Sequence, residues 1–121
     1  MTKAPRDPHR KPSPRLPLKP ADFLLLAVLQ DGPLHGYALG REMARRSAGE
    51  IKIRPGDLYR VLYRLAEQGI VEAIEDAEDG ERRTRYRLSA LGRRTLTAEA
   101  HRVARLSAEV LAAAGEAERS S

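Results

Sequence analysis

Between residues 54 and 69, Leu58, Val61, Leu62 and Leu65 fall at the i, i+3, i+4, i+7 spacing that gathers apolar side chains on one face of a helix. Pro55 suits the first helical position, Asp57 sets a negative charge at the positive end of the helix dipole, and Gly69 supplies a stop. Upstream, residues 20–30 carry Phe23, Leu24, Leu25, Leu26, Val28 and Leu29 with few polar gaps, and a predicted helix apolar nearly all round belongs in a core. Gly32 and Pro33 end it. A second helix is predicted from near His35 to near Arg46, burying Leu39 and Met43 with Arg41, Arg45 and Arg46 outside. Residues 47–50 read as a turn, and Ile51, Lys52 and Ile53 then alternate in strand fashion.

Residues 70–74 and 84–88 read as two strands joined through the turn signal of Asp79 and Gly80. Ser89 is a good N-cap for a last helix running to about residue 114, a length of about 37 Å. Along it Leu96, Val103 and Val110 recur every seven residues, with Leu106 and Ala113 three beyond the last two, a seam like that of a short coiled coil. So long a helix beside so small a domain predicts a homodimer joined through Leu96, Val103, Leu106 and Val110. Three helices, a two-stranded wing and a long helix make a mainly α fold with a small β wing: a winged helix-turn-helix plus a C-terminal dimerisation helix, with residues 51–53 completing the sheet. The predicted organisation is an arm over 1–19, the winged helix-turn-helix over 20–88, the dimerisation helix over 89–114 and a polar tail over 115–121.

Charge changes this picture in one place. The net charge of +5 lies entirely in residues 1–20, where six basic side chains meet only Asp7, and the rest of the chain holds equal numbers of acidic and basic groups. The same twenty residues contain six of the eight prolines, which predicts a disordered, extended basic arm, either lying along phosphates or serving as a solubilising tail. Any argument for an anionic partner of the folded part rests on where its charges lie.

Other chemistry finds little footing. There is no Cys and no Trp, so disulfides, thiolate metal sites and a Cys nucleophile are excluded. His9, His35 and His101 stand apart with no ligand spacing, and Gly36, Gly40 and Gly56 form no phosphate loop, so neither metal, cofactor nor enzymatic activity is expected. With no apolar run long enough for a membrane span and a proline-rich start in place of a signal peptide, a cytoplasmic protein is expected.

One face remains unusual. Opposite the leucines of residues 54–69, the helical repeat clusters Tyr59, Arg60, Tyr63, Arg64 and Glu67, so two tyrosines and two arginines share one exposed surface. Such a face either grips nucleic acid or is a solvated surface on which Arg stems cover Tyr rings. In the hairpin, Glu75, Asp76, Glu78, Asp79 and Glu81 predict an acidic tip, and Arg82, Arg83, Arg85 and Arg87 a basic returning strand that alone suits phosphates.

The strings LLLAVLQDGPLHGYALGREM, RPGDLYRVLYRLAEQGIVE and RTRYRLSALGRR together resemble the PadR family of bacterial transcriptional regulators over about residues 18–96. Pro33, Leu34, His35, Gly36 and Tyr37 match the entry to its second helix. Pro55, Gly56, Leu58, Tyr59, Leu62, Arg64, Leu65 and Gly69 match its recognition helix, and Arg85, Tyr86, Leu88, Ser89 and Gly92 the end of its wing. The single C-terminal helix is similar to the smaller PadR-like subfamily. The resemblance implies a homodimeric repressor of an inverted-repeat operator in double-stranded DNA, released by a small-molecule effector. It also implies phosphate or sugar contacts at Tyr59 and Arg64 and base contacts at the family-variable Arg60 and Tyr63. Tyr37, Arg54 and Gly56 then stand where a helix-turn-helix approaches the DNA backbone, with Arg83 and Arg85 on the wing. Three departures stand out: Asp57 where the family usually has Thr or Ser, the acidic wing tip, and the lack of a Trp for an aromatic ligand clamp. The same residues also suit two other functions: a module docking another regulator through the Tyr and Arg face, and a nonspecific DNA binder driven by the arm.

Overall fold

Pro20 opens the first helix because Lys19 before it is extended and a proline needs no N–H at that position. In the computed structural model, which describes residues 16–78 and 80–120, the elements run α1 (Pro20–Leu29), β1 (Leu34–His35), α2 (Gly36–Arg46), α3 (Pro55–Glu67), β2 (Val71–Glu78), β3 (Glu81–Leu88) and α4 (Ala90–Ser120). The predicted arm therefore lies largely outside the described residues.

As its composition predicts, α1 is the central pillar. Leu25, Leu26 and Leu29 are fully buried, and α2, α4 and β3 all pack on this helix. Leu39 and Met43 from α2 and Leu58, Leu62 and Leu65 from α3 complete the core with Ile70, Val71 and Leu88. The mainly α architecture with a small wing is the one expected.

The sheet is antiparallel with strand order β1–β3–β2, and here the sequence reading needs correction. Its third strand is Leu34–His35, paired with Tyr86 and Arg85, and residues 51–53 form no strand. The N–H of Ile51 donates to the Ser47 hydroxyl at 2.9 Å, while Ile51 and Ile53 are half-buried against the core. Their alternation records packing, not pairing. The hairpin strands are also longer than the apolar pattern indicates, each eight residues.

Ser89 caps α4 as expected, its hydroxyl accepting from the Gly92 N–H at 3.0 Å. A side chain at Gly92 would bring a Cβ to 2.1 Å from the Ile70 carbonyl, so only glycine lets α4 leave the wing this closely. Two further corrections concern α4. Leu96, expected at a dimer seam, is 5% exposed and belongs to the core of its own domain. The helix also continues through the expected tail to Ser120: Gly115 costs about 1 kcal/mol relative to Ala, and the surrounding Ala112, Ala113, Ala114, Glu116 and Ala117 carry the helix through it.

The helix leaves the body just beyond Glu99, whose side chain is buried yet charged. Arg102 pairs with its carboxylate, which also accepts the Leu18 N–H at 2.5 Å. The Arg102 bond holds the Glu99 carboxyl below the usual carboxylate range, against burial, which pushes it up, with the Leu18 N–H adding to the lowering. The segment entering α1 is thereby pinned to α4.

Candidate nucleic-acid interface

The amphipathic repeat of α3 dictates what it exposes. With Leu58, Leu62 and Leu65 inward, Tyr59, Arg60 and Tyr63 face solvent, Tyr63 with 70% of its surface exposed. Arg54 stands exposed at the N-cap, its carbonyl accepting the Leu58 N–H at 2.8 Å, and Pro55 follows at the first helical position. A Cβ at Gly56 would meet nothing within 4 Å, so the chain itself leaves the head of the helix open. Asp57 lies 3.6 Å from Arg60, an exposed pair of small energetic value that leaves the guanidinium directed along the first turn.

Tyr59 is less free than its neighbours. A Cβ at Gly36 would fall 2.8 Å from the Tyr59 hydroxyl, so the absence of a side chain at Gly36 is what admits the ring against the start of α2. Tyr86 of β3 is close enough that Tyr59 adds to the upward push which burial gives the Tyr86 phenol. Tyr59 thus joins α2, α3 and the wing while keeping half its surface in solvent.

Arg64 departs from the outward role the family resemblance gives it. Its guanidinium donates at 2.8 Å to Asp22 of α1, a carboxylate with only 6% of its side chain exposed. The pair ties α3 to the central pillar, and a phosphate would have to compete with a carboxylate already in place. Asp22 was not singled out from sequence, and with its partner 42 residues away no local signal identifies it.

Tyr37 projects from the first turn of α2 with 73% of its surface exposed, and the Arg41 guanidinium lies 5.7 Å from its ring centroid. Between α2 and the head of α3 is a cleft of about 310 Å³, and a groove of about 530 Å³ separates the start of α2 from β3. Tyr37 and Tyr59 line both.

The wing departs from a split between acidic tip and basic strand. Its register sets Glu72 opposite Arg87 and Asp76 opposite Arg83. Arg87 bonds Glu72 at 2.9 Å, Arg85 pairs with Asp76, and Arg83 lies 3.7 Å from Glu81. Arg83 and Arg85, expected to face phosphates, therefore each have a carboxylate neighbour. By contrast Arg41, Lys52 and Arg54 have none within ion-pair distance among the described residues. Arg41 and Lys52 were not among the expected contacts, although the i, i+4 spacing of Tyr37 and Arg41 was a usable signal.

Farther off, Val103 is half-buried while Leu106, Val110 and Leu111 are exposed, the last two by 67% and 70%. His35 places Nδ1 3.2 Å from the Thr84 carbonyl, and among the described residues no group of three or more His, Asp or Glu side chains gathers to hold a metal ion. No helix among them is long and apolar enough to cross a membrane.

A sequence profile described as the transcriptional regulator PadR-like family matches residues 25–98. A 37.1 kDa transposon protein of Streptomyces fradiae is 40% identical over 94 residues, which cover 78% of this chain but 26% of that protein, so the chain spans about a quarter of that relative's length. A transcriptional regulator of Mycobacterium tuberculosis is 33% identical over 81 residues, covering 67% of this chain and 73% of its own length. Among solved structures, Bacillus subtilis PadR in complex with operator DNA shares the fold, with a TM-score of 0.60 at 18% identity over 67% of this chain and 46% of that one.

Proposed function

Given that this chain belongs to the PadR-like family of transcriptional regulators, we propose that it binds double-stranded DNA as a homodimer and represses transcription from an inverted-repeat operator. The observation that carries this reading is the exposed row of Tyr59, Arg60 and Tyr63 on α3, headed by Arg54 and with no side chain at Gly56 to hold a ligand off. The width of a major groove accepts such a helix, and side chains near its N-terminus are the ones that reach base edges. In this reading Arg60 and Tyr63 contact bases, Tyr37, Arg54 and Tyr59 the backbone, and Arg64 positions α3 through Asp22.

The apolar stripe of half-buried Val103 and exposed Leu106, Val110 and Leu111 supports a second copy as the partner of α4. Because two half-sites are read together only when the two recognition helices stand about 34 Å apart, a small-molecule effector acts in this account by changing that separation. The fold shared with a PadR solved on its operator is consistent with this use of α3.

One observation favours a second reading, a surface that docks another regulator: three of the wing's four arginines have a carboxylate neighbour. Selection of duplexes from a random pool by the full-length protein separates the two. Enrichment of an inverted repeat supports the repressor reading, and retention of no duplex favours protein docking.

A further inference from the structure

We propose that the cleft between α2 and the head of α3 grips the sugar–phosphate strand beside the groove entered by α3, with Arg41 and Lys52 on its phosphates. This rests on the DNA-binding reading above and adds to it a contact surface and two residues. The cleft exists because Gly36, Gly40 and Ala44 leave one stripe of α2 almost bare where it faces α3. Its walls are apolar, formed by Tyr37, Tyr59, Ile53 and Pro55. Arg41 and Lys52 also line it, both exposed and, among the described residues, without a carboxylate partner. The Tyr37 ring directs the Arg41 guanidinium without neutralising it, so an arriving anion breaks no existing ion pair.

Two features identify the occupant. A free inorganic anion would use the cations and leave the apolar walls in water, whereas a nucleic-acid strand offers a sugar edge and a phosphate together. The cleft is also continuous with the proposed interface, since Pro55 belongs to the head of α3 and Tyr59 to its outer face. A strand lying there is read for charge and shape, so its contribution is the same for every base sequence. Arg60 is left to discriminate.

The test measures binding of the full chain to an operator duplex and an unrelated duplex across a salt series, with Arg41→Ala, Lys52→Ala and the double variant. Both side chains are exposed, so the variants fold, which circular dichroism checks. Each substitution is expected to weaken both duplexes by the same factor and to lower the slope of log affinity against log salt by about 0.9. Neutral methylphosphonates placed singly along the operator should weaken the unaltered protein at one or two positions to which Arg41→Ala is indifferent. Wild-type affinity and slope in both variants would overturn the proposal while leaving the DNA-binding reading intact, and so would a loss confined to particular base pairs. If the unaltered protein binds neither duplex, the DNA-binding reading falls and takes this proposal with it.

Discussion

Three cations beside the head of α3 and three of the wing are the same kinds of side chain in opposite electrostatic conditions. Arg41, Lys52 and Arg54 face solvent without a carboxylate partner among the described residues, whereas Arg83, Arg85 and Arg87 stand beside Glu81, Asp76 and Glu72. Ion pairs at or near a surface stabilise a fold by about 0–1 kcal/mol, so the wing gains little stability from them, but each sets a carboxylate beside an arginine that a phosphate would otherwise meet alone. The difference teaches that an arginine count locates no anion-binding surface until each charge has been matched with its neighbours. It also explains how residues that are neutral in sum can present a positive surface at one helix head.

If that head works in pairs, separating the two copies should have the largest effect. Replacing both Val103 and Val110 with Glu is expected to give a folded monomer by sedimentation, with operator affinity lower by about a hundredfold or more because one half-site must then bind alone. A variant that sediments as a dimer places the interface elsewhere.

Within α3 the contrast sharpens between two arginines one turn apart. Arg60→Ala should remove about 1–3 kcal/mol of preference at one base pair in each half-site, read by binding to singly substituted operators. Arg64→Ala should instead leave Asp22 without its cation in a buried setting and lower the melting temperature, with sequence preference unchanged. Equal loss of affinity for all sequences in Arg60→Ala removes its base-reading role.

A smaller effect is expected where charge is buried and paired. The Glu99 carboxyl is held below its ordinary range in the folded protein, chiefly by Arg102, so its contribution is complete above the usual carboxylate range and is lost as pH falls through the lowered value. Exchange of the Leu18 amide hydrogen should therefore accelerate, relative to amides in α3, only in acid, and Glu99→Gln should remove that added acid response. For the wing the expected effect is smallest: Arg85→Ala should change DNA affinity by less than about threefold, because its charge is already answered by Asp76. A larger loss would show that the wing engages phosphates despite its pairing.

The helical frame was legible because its signals are local. Pro20 and Pro55 mark two helix starts, and the inward spacing of Leu58, Leu62 and Leu65 correctly left Tyr59, Arg60 and Tyr63 outside. What was missed depends on distant parts of the chain. Nothing near Leu34 and His35 announces a two-residue strand, which exists only because β3 runs alongside. Leu96 keeps perfect heptad phase with Val103, and a seam cannot by itself say where the domain's own core stops and a partner begins. One of the wing's ion pairs is different, since counting outward from the turn sets Glu78 opposite Glu81 and Glu72 opposite Arg87. That register was within reach of the sequence.

The central claim is that two copies of α3 read DNA together, and duplexes selected from a random pool by the full-length protein test it most directly. The account predicts an enriched inverted repeat whose half-sites lie about 10 base pairs apart, centre to centre, or a multiple of one helical turn. Enrichment of a single unpaired half-site, or of no sequence at all, would contradict it.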